Sequence, residues 1–159
     1  MHLLWIFVFL VSLPAASWAQ NAAIAFGTPS FDVSLPVEAS ADSLSVDQGS
    51  GAAQLQGKVL VVQGDIRMSA SEMEIIYADD KSGIKELRAR GGVTFVTATD
   101  AVEAAEAVYS VAQGTVTLTG GVLLPQGQSA ISGDRLVVNL EGGTGTMEGR
   151  VRTVIGGGN

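Results

Sequence analysis

The sequence predicts an all-β protein built from about four repeated strand-pair units, and three features support this. Four six-residue segments align, beginning at residues 41, 70, 104 and 133, each with a small residue first and apolar residues at its fourth and sixth positions. Apolar and polar residues alternate within the units, which is the period of a half-buried strand. Each segment is followed by a Gly-x-Val triplet, at 57, 91, 120 and 149. Stacked units of this kind predict one long sandwich or rolled sheet.

The first nineteen residues predict an export signal. The apolar run 3–13 is shorter than the ~20 residues that span a bilayer, and Pro14 ends it. Ser17 and Ala19 then place small residues at the −3 and −1 positions of a cleavage site. We therefore expect cleavage after Ala19 and a protein of the bacterial periplasm. An uncleaved membrane anchor is the alternative.

The two ends of the remaining chain predict exposed edge strands. Residues 20–35 form an N-terminal segment that leads into a strand over 33–39, and a second terminal strand covers 151–155. Neither carries the dense charge that usually blunts a free sheet edge. The repeat domain is expected over 36–155, followed by a flexible glycine-rich tail over 156–159.

Irregularities within the repeats have local explanations. The segments begin 29, 34 and 29 residues apart, and a five-residue insertion in the turn 78–83 accounts for the longer interval. The alternation changes parity near 69–71 and 132–134, where a bulge or corner would keep the apolar residues on one face. Asp42 and Asp134 are therefore interpreted as corner residues. The stretch 101–107 has helical character, but the repeat alignment predicts a strand there.

The alternation predicts which side chains face inward. Aromatic residues make up only 6% of the chain, so the predicted interior consists of slim aliphatic residues with Met and Ala among them. A set of this size can stabilise the fold without disulfides or metal, because each such side chain contributes ~1.5–3 kcal/mol on burial. The inward set is Val37, Ala39, Leu44, Val46, Leu55, Val59, Val61, Ile66, Met68, Met73, Ile75, Leu87, Val93, Phe95, Ala107, Tyr109, Val116, Leu118, Val122, Leu124, Leu136, Val138 and Met147.

Composition excludes several classes of function. The net charge of −7 argues against nucleic-acid binding through phosphate neutralisation. The chain contains no Cys, and its one His, His2, lies in the predicted leader. These counts argue against disulfides, against nucleophile–His catalysis and against most transition-metal sites. No cofactor is expected.

The order of several short motifs resembles the OstA-like family of lipopolysaccharide-transport proteins. The motifs are PVEASADSLSVD at 36–47, GKVLVVQG at 57–64, IRMSA at 66–70, LTG at 118–120, ISGDRL at 131–136 and RVRTV at 150–154. The resemblance implies a twisted β-jelly-roll that is open along one side. It also implies that lipopolysaccharide acyl chains lie in the apolar interior. The absence of a supporting base beside the close acid pairs separately predicts that the protein is not an enzyme.

The resemblance implies partners, and it aligns Val37, Ala39, Phe95, Tyr109 and Val111 with apolar lining positions of the family; the other site residues come from the inward set and the terminal strands. Family members join end to end by strand addition, with an LptC-like inner-membrane protein at the N-terminal edge and an LptD-like outer-membrane protein at the C-terminal edge. A head-to-tail homo-oligomer is a further expectation. The edge residues are Val33, Leu35, Val37, Val151, Thr153 and Ile155. The expected groove residues are Val37, Ala39, Leu44, Val59, Val61, Ile66, Met68, Met73, Ile75, Phe95, Tyr109, Val111, Leu118, Leu136 and Val138.

Three alternatives stay open at the level of sequence. A membrane-anchored LptC-like component would keep its first segment, and a structural β-solenoid would have a filled interior without ligand. A hydrolase would need carboxylates such as the pairs Glu72/Glu74 and Asp79/Asp80, for which no supporting base is evident. The basic residues of the second unit, Lys81, Lys85, Arg88 and Arg90, could meet lipid phosphates or form a solvated face.

Overall fold

A computed structural model describes residues 22–27 and 31–156, which contain eleven strands. Among these residues no helix is long and apolar enough to cross a membrane. The strands are β1 (Ala22–Ala25), β2 (Glu38–Ser40), β3 (Ser43–Val46), β4 (Ala53–Gln63), β5 (Ile66–Tyr77), β6 (Ile84–Val96), β7 (Ala101–Ser110), β8 (Thr115–Gln126), β9 (Ser129–Asn139), β10 (Thr144–Glu148) and β11 (Arg152–Val154).

All strands belong to one antiparallel sheet. Strands β4 to β9 pair in chain order, and short strands complete both ends. At one end β3 and β2 pair with the first and second parts of β4. At the other end β10 and β11 pair with the two parts of β9, and β1 pairs with β10. The predicted all-β class is confirmed as an open antiparallel sheet, and the jelly-roll shape stays a prediction.

A line of bulges crosses the sheet and divides it into two half-sheets. Each long strand pair shifts register near its middle, for example between Gln56 and Val59 or between Thr119 and Val122. Bulges bend the strands that carry them. We call the strand parts near the turns 47–52, 78–83, 111–114 and 140–143 half-sheet A, which includes β1, β3 and β10. The parts near the turns 64–65, 97–100 and 127–128 are half-sheet B, which includes β2 and β11.

The corners follow the predicted Gly-x-Val triplets. Gly57 has φ +79°, and the next residue, Lys58, is also left-handed with φ 48°. The Asp42 amide donates to the Gly57 carbonyl at 2.8 Å, and the Asp134 amide donates to the Gly149 carbonyl at the same distance. A Cβ on Gly57 would lie 2.5 Å from the Asp42 Oδ2 atom, so only glycine fits. Asp42 and Asp134 are thus confirmed as corner residues.

Two further local predictions concern the turn 78–83 and the stretch 101–107. Residues 78–83 form the predicted turn between β5 and β6, where the Ala78 amide donates to the Gly83 carbonyl. The turn 47–52 of the first unit is equally long, so the five-residue insertion lengthens the paired strands β5 and β6 and not the turn, contrary to the prediction. Residues 101–107 lie in β7 despite their helical composition. Strand pairing on both sides of β7 outweighs the local helix propensity.

The N-terminal region differs from its prediction. The strand expected over 33–39 is limited to Glu38–Ser40, and Val33 and Leu35 lie in a turn. The first strand, β1, pairs at the opposite edge of the sheet. The physical reason is that Pro36 and the turn formed by Asp32 and Ser34 interrupt the extended backbone: the Asp32 Oδ1 atom accepts from both the amide and the hydroxyl of Ser34. The predicted leader and cleavage site, and residues 157–159 of the tail, lie outside the described residues.

Candidate functional site

The inward faces of the two half-sheets form continuous apolar rows. Side chains of directly opposed residues lie on the same face of a sheet, so the strand register defines each row. In half-sheet A one row runs Leu44, Leu55, Met73, Ala89, Ala107, Leu118, Leu136 and Met147, and the next runs Val46, Ala53, Ile75, Leu87, Tyr109, Val116 and Val138. In half-sheet B a row runs Ala39, Val61, Met68, Phe95 and Val102.

Two side-chain contacts, one between aromatic rings and one a hydrogen bond, show that the half-sheets face each other. Phe26 follows β1 in half-sheet A and stacks on Phe95 in half-sheet B, with ring centroids 6.1 Å apart. Tyr109 in half-sheet A donates to Gln63 in half-sheet B. The rows therefore meet in one interior, and most of their side chains are removed from solvent.

Most of the predicted groove residues lie in this interior. Val37 and Val111 are partly buried against it, whereas Ala39 and Leu44 are exposed, contrary to the expectation that they would be enclosed. Val46 of the inward set is exposed as well. The buried members are Val59, Val61, Ile66, Met68, Met73, Ile75, Phe95, Tyr109, Leu118, Leu136 and Val138.

The exposure of the apolar residues on β3 has one cause. Leu44 and Val46 stand directly opposite Leu55 and Ala53, so both are on the inward face. They are nevertheless 63% and 60% exposed, because β3 is the last strand and no described element covers them. The apolar interior therefore continues onto an accessible surface at the β2/β3 edge.

The opposite edge is half covered. In half-sheet B, β9 is the only described strand that pairs with β11, and Thr153 and Ile155 are exposed while Val151 packs against the core. In half-sheet A, β1 lies along β10. Phe26, at 1% exposure, holds the chain after β1 inside the molecule.

A series of buried hydrogen bonds crosses the apolar interior. The Tyr109 hydroxyl donates to the Gln63 Oε1 atom at 2.6 Å, and the Gln63 Nε2 atom donates to the carbonyls of Val33 and Leu35 at 2.9 and 2.8 Å. Burial raises the pKa of Tyr109 to about 12, so the hydroxyl stays protonated and keeps donating. This network ties both half-sheets to the turn at 33–35.

A pocket of about 390 Å³ opens where that turn meets the end of the interior. Phe26 and Ile66 belong both to the pocket wall and to the core, so the apolar interior reaches the surface here. Carboxylates of Asp32 and Asp65 stand at the same pocket. The remaining wall consists of Gly27, Phe31, Leu35, Gly64, Thr97, Ala98 and Leu140.

The arginines and glutamates of the second unit lie on the outer face and pair with each other, whereas Lys81 and Lys85 are exposed and form no ion pair among the described residues. Arg90 donates to Glu72 at 2.8 Å, and the pKa of Arg90 is raised by that hydrogen bond and by the charge of Glu72. Arg88 pairs with Glu86 and Glu74. Each arginine and each carboxylate of the pair Glu72/Glu74 is therefore engaged by an opposite charge, on the face away from the apolar rows.

Sequence reasoning missed Phe26 and Gln63. Ile24 and Phe26 continue the apolar alternation after the leader, which could have indicated a strand. Gln63 follows Val59 and Val61 at the same parity, so a polar residue at an inward position was the available signal. The small buried residues Ala53, Ala70, Ala89 and Ala104 were also missed, because alanine carries little apolar signal.

Comparison with known proteins agrees with this architecture. The family model of the LptA/(LptD N-terminal domain) LPS transport proteins matches residues 38–144. No curated protein matches the chain. Among solved structures, the chain is similar to LptH, the LptA-homologous periplasmic component of the conserved lipopolysaccharide transport device from Pseudomonas aeruginosa. The two share 19% identity with a TM-score of 0.68, and the match covers 79% of this chain and 99% of LptH.

Proposed function

Because this chain belongs to the family of LptA and LptD N-terminal-domain LPS transport proteins, we propose that it carries lipopolysaccharide across the periplasm with the acyl chains against its inward face. The observation that carries the proposal is the unbroken sequence of inward apolar rows, which ends in exposed Leu44 and Val46 at the β2/β3 edge. Lipid A acyl chains are apolar, and such a surface matches them chemically.

The driving force is removal of hydrocarbon from water. Each buried CH₂ group contributes ~0.8 kcal/mol, so a few acyl chains outweigh the cost of orienting one lipid molecule. The rows are mainly aliphatic and carry no charged side chain, so neighbouring positions offer acyl chains the same kind of apolar contact. A lipid can therefore move along the rows without a deep trap, and the energy for directional transport comes from elsewhere in the assembly.

The interior has to open for the lipid to occupy it fully. Phe95, Leu118 and Leu136 have no solvent exposure in the structure. Apolar packing and the Tyr109–Gln63 hydrogen bond hold the half-sheets together, and the sequence offers no cysteine to link them covalently. We propose that acyl chains first contact the exposed inward face of β3 and then separate the half-sheets from that edge.

End-to-end joining completes the proposal. The outer edges of β2 and β3 pair with no other described strand, and the same holds for β11. Free strand edges are the surfaces that β-augmentation uses. We propose that the β2/β3 edge receives an LptC-like inner-membrane protein, and that the β11 edge receives an LptD-like protein or a second copy of this chain.

Site-specific photo-crosslinking tests the lipid site. A photoreactive residue at Phe95 or at Leu44 is expected to crosslink to lipopolysaccharide, because both face inward. Thr94, the outward neighbour of Phe95 on β6, is the matched control. Crosslinking at Thr94 as strong as at Phe95 would show that the lipid lies on the outer face. Silence at all three positions would favour a filled β-solenoid without ligand.

The choice between a free and an anchored protein rests on the leader. Cleavage after Ala19 yields an exported chain that begins at Gln20, and N-terminal sequencing of the periplasmic protein measures this directly. A chain that retains Met1 would support the membrane-anchored LptC-like alternative.

A further inference from the structure

The repeats define where the next strand would pair if the sheet continued past β10. The corner glycines are the first residues of the Gly-x-Val triplets, and the residue before each of them pairs with the residue that follows the corner on the neighbouring strand. Gln56, before Gly57, stands opposite Glu72, and Thr119, before Gly120, stands opposite Arg135, which follows Asp134. The last corner glycine is Gly149, and the first corner residue of a following copy would be Asp42. The same rule therefore places Glu148 opposite Ser43 of the next copy.

This register places the exposed inward residues of β3 on an existing row. Counting along the antiparallel pair from Glu148 and Ser43, Leu44 of the next copy falls opposite Met147, and its Val46 falls opposite Gly145. Met147 has no solvent exposure and ends the row that Leu44 begins. A second copy would thus continue the apolar rows of the first.

In the structure β1 already occupies that place. Ala22 stands opposite Met147 and Ile24 opposite Gly145, in the antiparallel direction that β3 of a following copy would have. Ile24 therefore takes the position of Val46. We propose that β1 is an intramolecular substitute for β3 of the next copy. In this role β1 caps half-sheet A and limits self-assembly until β3 of an incoming copy displaces it. This inference rests on the proposed end-to-end joining.

The contacts of the cap are suited to exchange. β1 has only four residues, and Ala23 and Ala25 are exposed. The cap is fastened by the residues after it: the Phe26 amide donates to the Gly143 carbonyl at 2.9 Å, and the Phe26 ring stacks on Phe95. The Gly27 amide donates to the Asp100 carboxylate at 2.8 Å. Its strand pairing can therefore be exchanged while Phe26 remains inserted.

In half-sheet B, the edge of β11 provides the first pairing site for an incoming copy. No strand in the described part of the chain caps the outer edge of β11, and the repeat register places Val37 of the next copy opposite Ile155, which is 79% exposed. Glu38 of the next copy would stand diagonally across from Arg152, a distance that long side chains of opposite charge can span. Pairing of β2 with β11 would thus precede exchange of β3 for β1.

A reversible disulfide lock tests the cap. Ala23 and Thr146 are directly opposed, and opposed strand residues have Cα separations within the range of a disulfide. The double variant Ala23→Cys/Thr146→Cys is produced with its own leader, purified after export, and compared oxidised and reduced. Thr117→Cys/Val137→Cys, an opposed pair between β8 and β9, is the matched control.

The readout is the fraction of protein in end-to-end assemblies, measured by light scattering over a range of concentrations. We expect the oxidised lock to weaken joining at least about tenfold, because the apparent affinity scales with the fraction of uncapped protein. Reduction should restore joining, and the β8/β9 lock should leave it unchanged. Phe26→Ala should strengthen joining.

The outcomes separate the cap from the proposed function. Equal joining by oxidised and reduced lock would overturn the cap and leave end-to-end joining intact. Absence of joining by every variant at all concentrations, Phe26→Ala and the reduced lock included, would overturn end-to-end joining and the cap's role with it.

Discussion

Replacing Tyr109 by Phe should destabilise the protein at neutral pH and remove one component of its alkaline unfolding. The Tyr109 hydroxyl is buried and donates to Gln63 Oε1 at 2.6 Å. Tyr109→Phe keeps the ring but leaves that oxygen without this donor. Loss of one partner from a buried pair costs about 1–3 kcal/mol, so the free energy of unfolding should fall by that amount near pH 7.

The pH dependence provides a second, independent magnitude. Burial raises the pKa of Tyr109 to about 12, above the ordinary tyrosine value of about 10. A raised folded-state pKa means that the unfolded chain loses this proton first as the pH rises. This contribution to stability is complete below about pH 10 and is lost as the pH rises from about 10 to 12. The total loss is about 3 kcal/mol. Tyr109→Phe lacks this loss, so the two stability curves should converge toward about pH 12.

Urea unfolding followed by circular dichroism at a series of alkaline pH values measures the difference between the two proteins. Other titrating groups affect both proteins equally and cancel in this difference. Tyr77→Phe is the matched control, because Tyr77 is the other tyrosine and is 44% exposed; its effect should stay within about 0.5 kcal/mol. A stability difference between wild type and Tyr109→Phe that stays constant up to pH 12 would refute the reasoning.

Two further predictions concern the corners and the apolar rows. Gly57→Ala should lower the free energy of unfolding by more than about 1 kcal/mol, because φ is +79° and the new Cβ would lie 2.5 Å from Asp42. The control Gly83→Ala, whose new Cβ meets no atom within 4 Å, should be neutral or stabilise the protein by about 0.4–1 kcal/mol. Equal losses of stability for the two variants in a denaturation series would contradict the corner argument. Val61→Thr should fold but bind lipopolysaccharide more weakly, since a hydroxyl enters the inward row, whereas Val62→Thr on the outward side of β4 should bind like wild type. Unchanged lipid binding by Val61→Thr would argue against a hydrophobic driving force at this row.

The repeats and most of the interior were predictable because their causes are local in the chain. An alternation of period two decides which side chains share a face, and it predicted buried Met73, Phe95 and Leu136 correctly. The glycine triplets marked the corners, since a left-handed backbone such as that of Gly57 requires a specific residue type. The five-residue insertion of the second unit followed from counting alone, but its location did not, because it lengthens β5 and β6 and not the turn 78–83.

The edges were not predictable in the same way. Leu44 and Met73 have the same position in their repeats, yet Met73 is buried and Leu44 is exposed, because β3 has a neighbour among the described strands on only one side. Likewise, nothing local in residues 22–25 indicates that β1 pairs with β10, about 120 residues later in the chain, rather than with the strands that follow it.

The amino-acid sequence by itself determined the strand-forming repeats, the inward face of each strand and the corner positions, because these depend on backbone geometry and on side-chain spacing of a few residues. Only the tertiary structure decided how the half-sheets meet, through Phe26 on Phe95 and Gln63 on Tyr109, and which strand edges pair with no other described strand. Those outcomes depend on contacts between residues far apart in the chain, whose energies arise only when the whole sheet has assembled.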